Sequence, residues 1–401
     1  MLDARDCVAE PDVEVPHVEL ADVVRRFGSQ YVAHYGNQTM PSQRRALADI
    51  AACCTETLGG RLYQCADCDD TFWRYYCCRN RACPKCHGTQ TREWLEAREA
   101  ELLPCAYFHA VVTVPAELHA LFRREQRLLY GLLMRVAAEA VKELCAEKRH
   151  LGGLPGILSV LHTWNGQLGY HPHVHMLITG GGVTPDGQHW ESARGEFLVP
   201  VGVLSRKIAA KFRDALKAEA PGTFSSIPAS VWQREWVSFC KHYGCGEDAV
   251  LNYLSRYVFR TAISNARILS MDRTHVTFRW NDRTAGGWRI ERVPGVEFLG
   301  RFLQHVLPKG FHRVRYYGLW HPSKRSLSGR ARNLLMLEAP TDASNSATLA
   351  DILEALGQPP GSSADDVAGE EPSECPRCPR CGSTRTRLLG DFPYYRPRGR
   401  P

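Results

Sequence analysis

YHPHVHMLITGGG, residues 170–182, places histidines at alternate positions ahead of an apolar run and three glycines. Successive side chains of a β-strand point to opposite faces of a sheet, so a strand over 173–179 puts His173 and His175 on one face. The other face then carries Val174, Met176 and Ile178. We expect this apolar face to pack against a helix, and the histidine face to be exposed on the open side of the sheet.

The two histidines form a candidate site for a divalent cation, because imidazoles two residues apart on a strand can bind one ion together. An upstream apolar stretch over 157–164 ends in LHTW and predicts a second strand. If this strand pairs antiparallel with 173–179, His162 lies nearly opposite His175 and supplies a third ligand. Gln167 is the second choice for that ligand. Exposed histidines on a sheet edge, without a metal, are the alternative interpretation.

A second motif, NYLSRYVFR at residues 252–260, lies in a predicted helix over about 247–262. Tyr253 and Tyr257 are four residues apart and therefore share one helical face. An apolar stripe of Val250, Leu254 and Val258 flanks this face on one side. A basic stripe of Arg256 and Arg260 flanks it on the other. A phenol is a weak nucleophile at its ordinary pKa and needs a nearby cation, which arginines and a bound metal would supply. Aromatic packing is the alternative interpretation.

The chain has 16 cysteines and no visible secretory signal, which favours metal ligands over disulfides. Two C-x2-C pairs, Cys65/Cys68 and Cys83/Cys86, are separated by fourteen residues. We expect these four thiolates to complete one closed tetrahedral zinc site. The candidates for a second zinc ion are Cys53 and Cys78, together with Cys54, Cys77 or His87. The module is expected to contact nucleic acid, with a zinc-stabilised protein-interaction module as the alternative.

Charge is distributed unevenly along a chain whose formal net charge is +7. Residues 298–333 contain eight Lys/Arg and no acidic residue. A basic block of this kind favours a polyanionic partner, with a solvated surface as the alternative. The candidate contacts are Lys309, Arg313 and Arg315 from this block and Arg256 and Arg260 from the tyrosine motif.

At 401 residues the chain is too long for one ordinary core, and its composition divides it into four segments. Residues 1–103 are expected to form a helical and zinc-binding domain, and 104–335 an α+β domain that carries both motifs. Residues 336–374 are acidic and rich in small residues, which is typical of a disordered linker. Residues 375–401 have a basic tail and a cysteine cluster one ligand short of a zinc site: Cys375, Cys378 and Cys381. No membrane-spanning segment is expected.

HVH followed by a Tyr-x3-Tyr helix resembles the HUH endonucleases, in which U is a hydrophobic residue. More closely, the chain is similar to the two-tyrosine rolling-circle insertion-sequence transposases of the "insertion sequence ninety-one" group. The matching stretches occur in the family's order between about residues 20 and 320: LGGRLYQCADC, CCRNRACPKC, FHAVVTVP, LHTWNGQLGYHPHVHMLITGGG, YLSRYVFRTAISNARI, VTFRWNDR and FLGRFLQHVLPKGFHRVRYYGLW.

The resemblance implies a fold, a chemistry and partners. The fold is an HUH-type palm, an antiparallel sheet with helices on one face, joined to the N-terminal zinc-binding domain. His173 and His175 would bind Mg²⁺ or Mn²⁺, and Tyr253 and Tyr257 would be the nucleophiles. The implied reaction cleaves and rejoins single-stranded DNA at element ends and target through 5′-phosphotyrosine, in the bacterial cytoplasm at the nucleoid. A plasmid-type replication initiator or relaxase, and a DNA-binding regulator that no longer cleaves, are the alternatives.

The zinc block departs from the family pattern at two places. Ala82 stands where the family usually has a histidine, so that zinc ligand must come from elsewhere. Cys54 and Cys77 are extra thiols relative to the family, and they are candidates to compensate.

Overall fold

The computed structural model describes residues 18–86, 103–234, 236–246, 250, 253, 257–258, 260–282, 285–338 and 376–393. Its helices are α1 Leu20–Tyr35, α2 Pro41–Ala51, α3 His119–Arg124, α4 Gln126–Ala146, α5 Val201–Glu219, α6 Pro221–Ser225, α7 Gly295–Leu303 and α8 Arg325–Glu338. Its strands are β1 Gly59–Cys65, β2 Thr71–Tyr75, β3 Ala106–Thr113, β4 Gly156–Trp164, β5 Tyr170–Thr179, β6 Gly181–Val183, β7 Trp190–Ser192, β8 Ser238–Cys245, β9 Ile268–Met271, β10 His275–Asn281, β11 Trp288–Pro294, β12 Val314–Gly318 and β13 Thr386–Pro393. Beyond α8, the predicted linker lies outside the described residues up to 375.

A five-stranded antiparallel sheet in the order β12-β4-β5-β3-β8 forms the centre of the protein. The histidine-bearing strand β5 is the middle strand, so hydrogen bonds to β3 and β4 hold it on both sides. A central strand has little freedom to shift its register, and it therefore fixes the positions of its side chains. Helices and an antiparallel sheet in one unit confirm the predicted α+β class.

One face of this sheet packs against α4 and α5 in the largest hydrophobic core. The predicted apolar face is confirmed, because Val174, Met176 and Ile178 are all fully buried there. Helix α4 contributes a continuous apolar stripe that includes Leu133, Ala137 and Val141. Burial of this stripe on the sheet is the main source of stability for both elements.

The opposite face, which carries the histidines, is covered rather than open. His173 is 9% exposed and His175 is 8% exposed, so the prediction of an exposed histidine face is wrong. On this face the sheet residues Tyr107, Leu158, Val160 and Leu177 form one core with Val250, Tyr253 and Val258. The last three are described residues of the tyrosine motif and its flank, and they cover the sheet beside the imidazoles.

The three glycines that end the opening motif are explained by close approach of neighbouring groups. A Cβ at Gly180 would lie 2.8 Å from the Ala106 carbonyl oxygen, and one at Gly181 would lie 2.4 Å from the Trp190 ring. A Cβ at Gly182 would lie 2.7 Å from the Leu154 carbonyl carbon. These distances exclude any side chain, so glycine is required for β6 to leave the sheet here.

A second core joins the N-terminal helices to the later part of the chain. Phe27 of α1 packs directly on the first residue of α7, where a Cβ on Gly295 would lie 2.4 Å from the Phe27 ring. The sheet β11-β10-β9 completes this core through Ile268, Val276, Phe278 and Val293. A third sheet, in the order β13-β1-β2, combines N-terminal strands with a strand near the C-terminus. Within the described parts of the chain, no helix is both long and apolar enough to cross a membrane.

Arg81 links the cysteine-rich segment to the rest of the protein. Its guanidinium donates hydrogen bonds to the carbonyls of Leu307 at 3.0 Å, Pro308 at 2.7 Å and Phe311. We expect Arg81→Ala to lower the free energy of unfolding by about 2–3 kcal/mol, because three carbonyls lose a charged donor. Urea denaturation measures this loss. Arg26→Ala, at an exposed position of α1, is the control, and an equal effect of the two changes would contradict the prediction.

Candidate active site and metal centres

The histidine cluster is built by the β4–β5 hairpin. His162 pairs with His173, and Val160 pairs with His175. The predicted antiparallel pairing is confirmed, but the predicted register is wrong by two residues, since His162 lies opposite His173 and not opposite His175. The turn is shorter than expected, since Trp164 already pairs with Tyr170, and a bulge separates His162 from Trp164. Ring nitrogens of all three histidines nevertheless lie within 4.8 Å of one another.

Hydrogen bonds to backbone carbonyls orient two of these imidazoles. His162 Nε2 donates to the Tyr257 carbonyl at 2.6 Å, and His173 Nδ1 donates to the His171 carbonyl at 2.6 Å. Each bond leaves the other ring nitrogen with a lone pair, as in histidines that bind metals. Burial, followed by the nearby His173 and Arg313, lowers the pKa of His162 well below its usual value. A neutral imidazole is the form that binds a metal.

His109 on β3 is a site residue that the sequence analysis missed. Its Nε2 lies 2.9 Å from Nδ1 of His175, so His175 can donate there and keep Nε2 as a ligand atom. Burial lowers the pKa of His109 to about 4, so this ring is neutral and can accept. The sequence did offer one signal for His109, which is a histidine within the otherwise apolar strand FHAVV. In the structure this position lies on the same face of the sheet as His175.

The structure brings both predicted tyrosines to the histidines, in different environments. The half-buried Tyr257 has its ring centroid 4.2 Å from that of His175 and 4.6 Å from that of His109. Tyr253 is 0% exposed, and its ring lies 4.9 Å from Tyr257 and 5.6 Å from His109. The Tyr253 hydroxyl has no hydrogen-bond partner among the described residues. Burial raises the pKa of Tyr253 well above that of a free phenol, so its hydroxyl stays protonated.

The candidate DNA-binding cations are dispersed. Arg313 is close to the site: it donates to the Val258 carbonyl, its guanidinium lies 6.0 Å from the Trp164 ring, and burial lowers its pKa to about 10. Arg260 is exposed. Arg315 lies on the other face of the sheet, with its guanidinium 5.0 Å from the Phe311 ring. Arg256 lies outside the described residues.

A cavity of about 520 Å³ opens between the cysteine-rich segment and residues 302–313. The histidine cluster does not line it, but Trp164 does, and the Trp164 ring stacks on His162 with ring centroids 4.5 Å apart. Two of the predicted cations, Lys309 and Arg313, also line the cavity. The cysteine-rich side contributes further positive charge through Arg45, Arg79 and Arg81. Cations around one opening are suited to a phosphate backbone.

Eight of the described cysteines form two four-thiol groups. Cys53, Cys78, Cys83 and Cys86 form the inner cysteine cluster, with Sγ–Sγ distances of 3.5 Å for Cys53–Cys86, 3.5 Å for Cys78–Cys86 and 3.8 Å for Cys53–Cys83. A tetrahedral zinc ion with Zn–S bonds of about 2.3 Å separates its ligands by about 3.8 Å. The inner cluster therefore fits a closed zinc site made of four thiols, and neither Cys54 nor Cys77 belongs to it.

Cys65, Cys68, Cys378 and Cys381 form the outer cysteine cluster. The predicted site made from Cys65/Cys68 and Cys83/Cys86 is therefore wrong. Strand β13 pairs with β1 and brings two C-terminal thiols to the first pair, while the second pair meets cysteines that follow α2 and β2. Cys54 and Cys77 lie 3.5 Å apart beside Cys53, whereas His87 and Cys375 lie outside the described residues.

Comparison with known proteins gives concordant matches. A family model described as "Putative transposase" matches residues 156–327, and one described as "Transposase zinc-binding domain" matches residues 23–114. The chain is 38% identical over 340 residues to "Putative transposase y4qJ" of Sinorhizobium fredii, covering 80% of this chain and 85% of that protein. No solved structure matches.

The name of a second relative includes an insertion sequence element. The chain is 30% identical over 288 residues to "Transposase for insertion sequence element IS801" of Pseudomonas savastanoi pv. phaseolicola, covering 67% of this chain and 68% of that protein. The zinc-binding model spans the whole inner cluster, so match and geometry together support zinc as a cofactor. The chain belongs to the IS91/IS801 family of transposases, as its histidine and tyrosine motifs predicted.

Proposed function

We propose that this transposase nicks and rejoins single-stranded DNA through 5′-phosphotyrosine intermediates, as rolling-circle transposition requires. The observation that carries the proposal is the contact between a half-buried phenol and a metal-competent histidine cluster: the Tyr257 ring lies 4.2 Å from His175. A DNA-binding regulator would need neither the phenol nor the three converging imidazoles.

The histidine cluster fits one divalent cation. Three imidazole ligands leave coordination positions open for a phosphate oxygen and water. Nitrogen donors suit a transition ion such as Mn²⁺ better than Mg²⁺, which prefers oxygen ligands. When bound, the ion would polarise the scissile phosphate. His162, His173 and His175 would hold it, and His109 would keep the His175 ring in the orientation for binding.

We assign the first attack to Tyr257. Its phenolic oxygen forms a bond to phosphorus, the bond from phosphorus to the 3′-oxygen breaks, and the leaving 3′-oxygen takes up a proton as the phenol loses one. The products are a 5′-phosphotyrosine and a free 3′-OH. Attack by a 3′-OH on the phosphotyrosine reverses these bond changes and releases the phenol. The number of phosphoester bonds is unchanged, so no external energy source is needed.

We assign a later strand-transfer step to Tyr253. Its hydroxyl is buried and unpartnered among the described residues, so this phenol must become exposed before it can reach DNA. A hydroxyl held out of contact until the first strand is attached would separate the two cleavages in time. The cavity lined by Lys309 and Arg313 is the proposed path of the strand. The proposed place of action is the nucleoid in the bacterial cytoplasm.

The test incubates the full chain with labelled single-stranded ends of its own element and Mn²⁺, and detects a covalent protein–DNA band after denaturation. We expect the band in wild type and its loss with EDTA. In His175→Ala we expect the amount of covalent product to fall about a hundred-fold or more. His189→Ala, an exposed histidine outside the cluster, is the control and should retain the band. Absence of a band in wild type, with DNA still bound, would favour the regulator.

A further inference from the structure

A metal site outside the matched zinc-binding domain joins two distant parts of the chain. We propose that the outer cysteine cluster binds a second zinc ion, which holds residues 376–393 against the N-terminal sheet. The zinc-binding family model ends at residue 114, so it includes Cys65 and Cys68 but neither Cys378 nor Cys381. The proposal concerns metal binding and assembly, and it is independent of DNA cleavage.

The sulfur geometry of the outer cluster fits zinc. Sγ of Cys65 lies 3.5 Å from that of Cys381, and Sγ of Cys68 lies 3.7 Å from that of Cys378. These separations are close to the about 3.8 Å expected between ligands of a tetrahedral zinc ion. All four thiols lie within 4.8 Å of one another. Four cysteines complete the shell, so this is a closed, structural type of site with no position for substrate.

The backbone around the two cysteine pairs is built alike. Each C-x2-C turn is followed by a residue in the left-handed region, Asp69 at φ 56° and Gly382 at φ 74°. Asp69 N donates to the Cys65 carbonyl at 3.1 Å, and Gly382 N donates to the Cys378 carbonyl at 2.9 Å. Two equivalent turns thus present their thiols to each other, and the Ala66 N to Arg385 carbonyl bond of 2.8 Å ties them together.

The apolar core at this sheet is too small to hold the C-terminal strand. Its buried members are Tyr63, Cys65, Phe72 and Cys378. Most side chains of β13 are exposed. The ion pair Arg61–Asp391 of this strand, and the pair Arg385–Asp67 just before it, lie at the surface, where such pairs add little stability. Units with so little buried apolar area usually need a metal or disulfides. The metal therefore decides whether β13 pairs with β1.

Attachment of β13 also completes an exposed aromatic surface. Trp73 is 43% exposed and stacks on Tyr75, with ring centroids 5.9 Å apart. Phe392 of β13 is 53% exposed and lies 5.4 Å from the Trp73 ring. Loss of the second zinc ion would remove Phe392 from this surface and leave Trp73 and Tyr75 in place on β2.

The test counts zinc ions on the full-length chain by native mass spectrometry. We expect Cys378→Ser/Cys381→Ser, Cys65→Ser/Cys68→Ser and the combination of all four changes each to bind one zinc ion fewer than wild type. Cys245→Ser, an exposed thiol outside both clusters, is the control and should bind as many as wild type. An unchanged count in Cys378→Ser/Cys381→Ser, or a loss of two ions in the four-fold variant, would overturn the proposal.

Hydrogen exchange on the same proteins separates zinc loss from general unfolding. We expect amides of 386–393 to lose protection in Cys378→Ser/Cys381→Ser, while those of β3 to β5 keep it. Cys381→His, which preserves a zinc ligand, should restore both the second ion and the protection. Full protection of β13 in Cys378→Ser/Cys381→Ser would show that the metal does not hold the strand. That result would refute the proposed role of the second zinc ion in attaching β13.

Discussion

Tyr257→Phe is expected to abolish the covalent protein–DNA adduct, by at least about a thousand-fold, whereas Tyr253→Phe should still form it. The two tyrosines differ in environment, although they are equivalent in sequence. Tyr257 is half-buried against His175, and Tyr253 is fully buried with a raised pKa. A phenol that is fully buried cannot be the first group to reach phosphorus.

The two variants should also separate at the second step. In Tyr253→Phe, we expect cleavage of one oligonucleotide to continue while transfer to a second labelled oligonucleotide is lost. Phenylalanine removes an unpartnered buried hydroxyl, so Tyr253→Phe should be as stable as wild type or more stable by about 1 kcal/mol. Thermal denaturation checks this, and it makes a folding defect distinguishable from a chemical one. An adduct retained in Tyr257→Phe and lost in Tyr253→Phe would reverse the assigned order.

Cys83→Ser is expected to destabilise the protein on the order of 5 kcal/mol, because it opens a closed zinc site inside the second core. Cys53, Cys83 and Cys86 belong to the same buried cluster as Phe27 of α1 and Phe298 of α7. Loss of the ion leaves buried thiols without a common partner. The N-terminal helices should therefore detach from α7, not merely lose a local turn.

Thermal denaturation combined with zinc analysis measures this effect. Cys54→Ser is the matched control, since Cys54 is adjacent in sequence and lies outside the inner cluster. We expect Cys54→Ser to keep the zinc ion and nearly all of the stability. The opposite result, with Cys83→Ser stable and Cys54→Ser unstable, would move the ion to the neighbouring group Cys53, Cys54 and Cys77.

The fold class and the main catalytic candidates were accessible from local sequence patterns. Alternation along β5 correctly separated the buried Val174, Met176 and Ile178 from the histidines. The spacing of Tyr253 and Tyr257 predicted that the two rings share one face, and they lie 4.9 Å apart. Their position near the imidazoles was implied by the family resemblance and not by the spacing. Burial of the histidine face was not accessible, because it depends on a segment some eighty residues away in sequence packing over the strand.

Sequence by itself determined which residues face the same way, because strand and helix periodicity follow from backbone geometry within a few residues. The tertiary structure alone decided which of several similar side chains come into contact, such as which cysteine pairs share a cluster. Any C-x2-C pair can share zinc with any other, and only the pairing of β13 with β1 selects Cys381 as a neighbour of Cys65, 316 residues away. The same reason explains His109, which joins the site because β3 lies beside β5, and the unequal burial of the two phenols. Such contacts depend on how the whole chain packs, and local sequence does not specify them.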